Sequence, residues 1–135
     1  MTDSTVHQGG CLCGAVRYRV TGTPARSVIC TCTQCMRQTG SPLPAFVSFS
    51  LDRFECVAGT PKSYRASGHA TRQFCGDCGS FLFWIGERRG RIGVALGSLD
   101  DPSAMPKPDT RIWASRGVSW LGDLAIENVY PESAI

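Results

Sequence analysis

The sequence has no apolar run of the roughly 18 residues that a membrane-spanning helix requires. Its first ten residues also lack the basic start and apolar stretch of a secretory signal. We therefore predict a cytoplasmic protein that has no membrane partner. Because disulfides are rare in that reducing compartment, the spacing of the eight cysteines is interpreted first as metal chemistry.

A strong excess of charge is also missing. Charged residues make up 19% of the chain, and the formal net charge is only +3. Basic residues are scattered apart from a short cluster of Arg88, Arg89 and Arg91, a pattern that is typical of a solvated turn. Nucleic-acid binding normally needs a stripe of lysine and arginine, so we predict no nucleic-acid partner. The sequence does not indicate an oligomeric state.

Long uninterrupted segments are absent as well, because fifteen glycines and eight prolines are spread along the chain. A chain of 135 residues is typical of a single domain. We expect an N-terminal tail over residues 1–8 and one zinc-binding domain over residues 9–135. Six short segments have the pattern of strands, which favours a mainly β fold: 15–20, 45–50, 53–57, 63–66, 80–85 and 91–96.

The clearest helix signal in the sequence is short. It covers residues 33–39, with Thr33 as the expected N-cap and Gly40 ending the helix. The proline-rich C-terminal part is expected to be a loop that is ordered by the packing of Trp113 and Trp120. The sequence thus predicts one or two short helices within a mainly β domain.

Two of the cysteine clusters are tight knuckles, each followed by a glycine. The glycine can adopt a positive φ, which turns backbone amides towards the sulfurs. Two sulfurs from one tight turn can reach the same ion, about 2.3 Å away, so two knuckles complete a closed four-thiolate zinc site. The knuckles consist of Cys11 and Cys13 with Gly14, and of Cys75 and Cys78 with Gly79.

The middle cluster, Cys30, Cys32 and Cys35, has no obvious fourth ligand. Three protein ligands and an open position are the signature of a catalytic zinc site. Two other interpretations stay open. The cluster can share one metal site with an outer pair, or it can be a metal-free thiol cluster in which the helix start near Thr33 lowers a cysteine pKa. The isolated Cys56 is interpreted as structural.

Four motifs extend the cysteine pattern over nearly the whole chain, from about Gly9 to Trp120. They are Gly10-Cys11-Leu12-Cys13-Gly14-Ala15-Val16-Arg17-Tyr18, Cys30-x-Cys32-x-x-Cys35, Phe74-Cys75-x-x-Cys78-Gly79-Ser80 and Gly97-Ser98-Leu99-Asp100-Asp101-Pro102. Together these motifs resemble those of the glutathione-dependent formaldehyde-activating enzyme family, which also includes centromere protein V.

The resemblance implies an Mss4-like fold, in which small coiled β-sheets are stapled by zinc. It also implies a carbon–sulfur lyase that acts on an adduct like S-hydroxymethylglutathione, or on a related small thiol compound, with glutathione as cosubstrate. By this resemblance the structural zinc ligands are Cys11, Cys13, Cys75 and Cys78, and the catalytic zinc ligands are Cys30, Cys32 and Cys35. Candidates to bind the anionic glutathione are Arg37, Arg72 and Arg116.

The chain departs from the family pattern at two positions. Thr31 stands where histidine is common in the middle cluster, and Arg111 stands where histidine commonly precedes the Ile-Trp pair. An imidazole that relays protons is therefore absent at both places. A non-catalytic zinc module that binds a partner protein is the alternative function, and a thiol-based stress sensor is a third possibility.

Overall fold

The computed structural model describes residues 3–123 and 126–133. These segments hold many short strands and one α-helix, which confirms the predicted mainly β class. Within them, no helix has the length and apolar character needed to cross a membrane. The helix is α1 (Thr33–Thr39). The strands are β1 (Val6–Gly10), β2 (Arg17–Thr21), β3 (Arg26–Cys30), β4 (Ala45–Ser50), β5 (Phe54–Ala58), β6 (Lys62–Ser67), β7 (Ala70–Phe74), β8 (Phe81–Gly86), β9 (Arg91–Ala95), β10 (Thr110–Ile112) and β11 (Asn128–Val129).

The six predicted strands correspond to β2, β4, β5, β6, β8 and β9, with ends that agree to within two residues. The sequence did not predict β1, β3, β7, β10 or β11. Strand β1 starts at Val6, inside the segment that was expected to be a tail, because all five of its residues pair with β2. The strand ends in Gly9 and Gly10, and because glycine is uncommon inside strands, the sequence pattern does not indicate a strand here.

Helix α1 has the predicted bounds and ends at Gly40, which adopts the left-handed conformation with φ 69°. Its N-cap differs from the prediction. The sulfur of Cys32 accepts a hydrogen bond from the backbone N–H of Cys35 at 3.3 Å, so Cys32 rather than Thr33 caps the helix. This cap brings two cysteines of the middle cluster together at the first turn of the helix.

The strands form two sheets. The small sheet has the order β1-β2-β5, and the large sheet has the order β11-β10-β3-β4-β9-β8-β7-β6. Tyr18 and Phe54 of the small sheet pack edge-on against Phe83 of the large sheet, each with its ring centroid 4.9 Å away. Val47 and Val94 of the large sheet are fully buried in the same cluster. One face of the large sheet therefore forms the main core with the small sheet.

Only one of the two tryptophans packs in the way the sequence predicts. Trp113 is partly buried against a cluster that includes Val28 and Phe46, whereas Trp120 is 52% exposed. The segment is also held by β10, which joins the large sheet by pairing in parallel with β3, where Arg111 lies opposite Ile29. Short parallel pairs of this kind join segments that are distant in sequence, so local patterns do not indicate them.

The buried hydroxyl of Tyr18 yields a test of this core. It lies 2.6 Å from the Ser98 hydroxyl, and burial raises the pKa of the tyrosine. Tyr18→Phe should reduce the free energy of unfolding by about 1 kcal/mol, because the hydrogen bond is lost inside the core. Denaturant titration measures this, with Tyr64→Phe as the control because Tyr64 is 62% exposed. Equal stability of the two variants would contradict the packing.

Candidate metal centres

The first cysteine cluster, called the four-cysteine site, consists of Cys11, Cys13, Cys75 and Cys78. Their sulfurs all lie within 4.8 Å of one another. The sulfur of Cys13 is 3.6 Å from that of Cys11 and 3.8 Å from that of Cys75. A tetrahedral zinc ion with bonds of about 2.3 Å places its sulfurs about 3.8 Å apart. The four sulfurs therefore have the spacing that a zinc ion requires.

Both glycines of the knuckles adopt the conformation that the sequence predicts. Gly14 has φ 81° and Gly79 has φ 78°. Each turn is closed by a backbone hydrogen bond, from Gly14 N–H to the Cys11 carbonyl at 3.1 Å and from Gly79 N–H to the Cys75 carbonyl at 2.8 Å. Positive φ is costly for any residue with a Cβ atom, so the two glycines fix the knuckle geometry.

Polar groups around the four-cysteine site favour charged sulfur. The backbone N–H of Val16 donates to the Cys11 sulfur at 3.2 Å. The Ser80 hydroxyl lies 3.2 Å from the Cys78 sulfur, and its hydrogen bond lowers the pKa of Cys78 to about 5. These contacts stabilise thiolates, which are the form of cysteine that binds metal.

The four-cysteine site lies between the two sheets. Cys11 directly follows β1 of the small sheet, and Cys75 directly follows β7 of the large sheet. Cys11 is 8% exposed and Cys75 is 1% exposed. A metal ion held here by four sulfurs has a complete coordination shell and ties the two sheets together.

The second cluster, called the three-cysteine site, consists of Cys30, Cys32 and Cys35, whose sulfurs also lie within 4.8 Å of one another. Cys30 ends β3, and Cys35 lies in the first turn of α1. The seven sulfurs thus form two separate groups, so the geometry does not favour one site shared with an outer pair. Among the described residues, no histidine or carboxylate completes this trio. Both sites can hold a metal ion, and their all-sulfur donor sets suit zinc.

Arg72, one of the arginines that the sequence proposes for substrate binding, lies beside the three-cysteine site and is 3% exposed. Its Nη2 donates to the Cys35 sulfur at 3.4 Å, and its Nη1 donates to Oε1 of Gln38 at 3.3 Å. Within the described part of the chain, its Nε has no hydrogen-bond partner. Hydrogen bonds from the Cys30 and Cys35 thiols lower the pKa of Cys32, and the charge of Arg72 acts in the same direction. Arg72 therefore acts on the sulfurs themselves.

The three-cysteine site opens into a large groove of about 940 Å³. Aromatic side chains line this groove, and no aspartate or glutamate is among its lining residues. Arg37 is exposed on α1 and is not among the residues that line the groove, so its contact with a substrate stays a prediction. The arginines that do line it are Arg26, Arg72, Arg88, Arg89, Arg91 and Arg116.

Arg116, the third sequence candidate, lies on the groove beside Trp113. Its guanidinium is 5.0 Å from the centre of the Trp113 ring, a cation–π contact. It also forms an ion pair with Glu132, with 3.4 Å between Nη1 and Oε2. Arg116 is thus held at the wall of the groove and can meet an anionic ligand there.

Thr31 and Arg111, the two positions at which the resemblance leads us to expect histidine, contact each other. The Nε of Arg111 donates to the hydroxyl oxygen of Thr31 at 3.1 Å, and this hydroxyl donates to the Trp113 carbonyl at 3.0 Å. Trp113 has φ 57°, the one positive φ of a non-glycine residue in the described segments. Such strain persists only where surrounding contacts enforce it. The sequence alone did not indicate that Thr31 and Arg111 fix a wall of the groove.

Comparisons with known proteins agree with this geometry. A crystal structure of a Rhodobacter sphaeroides protein superposes with a TM-score of 0.59 at 25% sequence identity, and the match covers 69% of this chain and 87% of that one. The family profile of the glutathione-dependent formaldehyde-activating enzyme matches residues 6–116, which is well over half of the sequence and includes all seven clustered cysteines. The chain therefore belongs to the glutathione-dependent formaldehyde-activating enzyme family.

Proposed function

We propose that this protein is a zinc-dependent carbon–sulfur lyase that acts on an adduct like S-hydroxymethylglutathione or on a related small thiol compound. The observation that carries the proposal is that all three residues of the three-cysteine site are among those that line the open groove. Three thiolates leave one position of a tetrahedral zinc ion for a ligand from the groove. The four-cysteine site leaves none, so its proposed role is structural.

The proposed reaction cleaves or forms one carbon–sulfur bond. In HO-CH₂-S-glutathione the bond between carbon and sulfur breaks, and the sulfur leaves with the electron pair and takes up a proton. The hydroxyl group loses its proton, and its carbon becomes formaldehyde, so atoms and charge balance. When bound, the zinc ion would supply a Lewis acid for the sulfur or oxygen of the adduct. The residues of the chain hold the adduct and set the charge around it.

Arg72 balances the charge of the three-cysteine site. Three thiolates and one Zn²⁺ sum to a net charge of −1, and the guanidinium of Arg72 adds +1 beside Cys35. A buried guanidinium is costly unless it is paired, and Arg72 has no carboxylate partner among the described residues. We infer that the sulfurs of this site serve as its counter-charge.

The walls of the groove would bind the rest of the adduct. Glutathione carries two carboxylates and one ammonium group, so a guanidinium at the wall favours its binding. Arg116 fits this role because it lies on the groove beside Trp113. Aromatic side chains such as Trp113 also exclude water from the reacting bond. A protein-binding zinc module does not require an open metal site of this kind, which is why we favour the enzyme. Because both sites need reduced thiols, we place it in the cytoplasm.

The first prediction concerns Cys32→Ser. It should lower the zinc content from about two ions per chain to about one while the fold persists, because only the three-cysteine site loses a ligand. Acceleration of adduct cleavage, followed by exchange NMR of formaldehyde mixed with glutathione, should be lost with it. Cys56→Ser is the matched control, since Cys56 is exposed and belongs to neither cluster. A wild-type protein that holds two zinc ions without accelerating cleavage would contradict the lyase and favour the binding module.

The second prediction concerns Arg72→Met, which keeps the buried volume of the side chain and removes its charge. Loss of a group that hydrogen-bonds a metal ligand typically weakens metal affinity about 10- to 100-fold. Competition with a chelator should therefore show one of the two zinc ions weakened by this factor. Arg37→Met on the exposed face of α1 serves as the control and should leave both affinities unchanged. Unchanged zinc affinity in Arg72→Met would rule out the proposed charge balance.

A further inference from the structure

The groove is one continuous open face of the large sheet. Its lining residues follow the two-residue period of strands: Arg26, Val28 and Cys30 in β3, and Phe46 and Ser48 in β4. The residues between them face the opposite side of the sheet, where Val47 and Phe49 lie in the main core. The three-cysteine site and the arginines of the groove therefore share one surface.

Small residues form the floor of this face. Gly93 of β9 lies opposite Ser48 of β4 on one side and opposite Trp84 of β8 on the other. In the next row, Gly86 of β8 lies opposite Ala70 of β7. The indole ring of Trp84 lies over Gly86, and the ring of Phe46 lies beside Gly93, so aromatic rings cover these small residues. The volume of about 940 Å³ lies at the upper end of the range for ligand pockets, which is large enough for a long molecule.

The remote part of the groove carries unpaired positive charge. Arg26, Arg88, Arg89 and Arg91 all line it, and the side chain of each has no ion pair or hydrogen bond within residues 3–123 and 126–133. The one acidic residue beside this cluster in sequence, Glu87, pairs with Arg65 and does not line the groove. Four free guanidinium groups without a carboxylate favour an anionic ligand with several charges.

Strand geometry sets the distance from the cysteines to these arginines. Arg26 lies four residues before Cys30 in β3, about 13 Å along the strand at about 3.3 Å per residue. Arg26 lies opposite Ser48 of β4, and Arg91 lies opposite Ser50, two residues further along the same strand. Arg91 is therefore about 20 Å from Cys30 along the strand direction. It is also about 10 Å to the side, because β9 lies two strands away from β3. The unpaired charge therefore lies far from the three-cysteine site.

Glutathione is too short to use this charge while its sulfur is at the three-cysteine site. The sulfur of glutathione belongs to its middle residue, and even with the γ-linkage of its glutamate both ends of the molecule lie within about 10 Å of the sulfur. They do not reach the row that contains Arg91. The net charge of glutathione is also only −1, whereas the groove presents four unpaired guanidinium groups. One guanidinium group can donate two parallel hydrogen bonds to two oxygens of the same phosphate. Phosphate is therefore the anion that best suits such a cluster.

We propose that the groove binds a long thiol compound whose phosphate groups lie about 13–20 Å from its sulfur. The phosphates contact Arg26, Arg88, Arg89 and Arg91, and the chain of the compound crosses the part of the groove that Phe46, Ser48 and Trp84 line. This proposal rests on the proposed function, because the sulfur lies at the three-cysteine site and undergoes the same carbon–sulfur chemistry. It differs in assigning a substrate that is longer and more highly charged than a glutathione adduct.

Calorimetric titration of the zinc-loaded protein with desulfo-coenzyme A tests the phosphate site. This probe has the required length and phosphates but no sulfur, so its binding does not depend on the metal or on turnover. We expect it to bind more tightly than the sulfur-free tripeptide γ-glutamyl-alanyl-glycine. The double variant Arg88→Gln/Arg91→Gln should weaken its binding at least about tenfold through the loss of charged hydrogen bonds.

The matched control is Arg37→Gln/Arg53→Gln, which removes the same charge from two arginines outside the groove. It should change the dissociation constant by less than about twofold, since screened charges at a distance contribute little. Equal weakening in both double variants, or none in either, would overturn the proposal. Tighter binding of the tripeptide, or of a single-stranded oligonucleotide, would overturn it in favour of a different ligand.

Adduct cleavage, measured on the same samples, separates this proposal from the lyase proposal. Probe binding that depends on Arg88 and Arg91 in a protein without lyase activity would support the phosphate site and contradict the proposed function. If the protein has lyase activity and the substitutions of Arg88 and Arg91 leave probe binding unchanged, the result would support the lyase proposal and overturn the phosphate site.

Discussion

Four sulfur atoms from two distant turns meet at the junction of the two sheets. Cys13 and Cys75 are 62 positions apart in sequence, yet their sulfurs lie 3.8 Å apart, at the junction of the two sheets. The small sheet has three strands and packs on the large one through one hydrophobic cluster, in which Tyr18 contacts Phe83. Structural zinc binds small domains with apparent free energies of about 10–16 kcal/mol, which is comparable to the whole stability of a domain. A metal ion at this junction would therefore decide whether the two sheets stay together.

The two cysteine sites differ by one ligand, and their surroundings differ accordingly. Glycine turns and the hydroxyl of Ser80 enclose the four-cysteine site. The three-cysteine site opens into the groove, and the buried guanidinium of Arg72 lies beside its Cys35 sulfur. A fourth sulfur closes the coordination shell, whereas an arginine offsets the charge and leaves a coordination position open. This contrast connects the geometry to the proposed division into a structural and a reactive site.

Sequence patterns predicted the features that are determined by residues close to one another along the chain. The three cysteine clusters, the mainly β class and the bounds of α1 follow from local spacing, and the structure agrees with them. The spacing left open which clusters share a metal site, and the structure separates the middle cluster from the two knuckles. The domain limits at residue 9 stay a prediction, although β1 starts earlier. What the sequence did not predict depends on contacts across the sheet: the parallel pairing of β10 with β3, and the burial of Arg72 against Cys35. The arginines around residue 90 form the expected turn, but only strand register shows that they line the groove.

A stepwise chelator titration, with zinc content and circular dichroism recorded on the same samples, tests the central claim most directly. The three-cysteine site is open and the four-cysteine site is closed, so the first zinc ion should leave while the β spectrum persists. Loss of the second ion should coincide with unfolding. A protein that keeps its fold after both ions are removed would contradict the claim that the four-cysteine site holds the two sheets together.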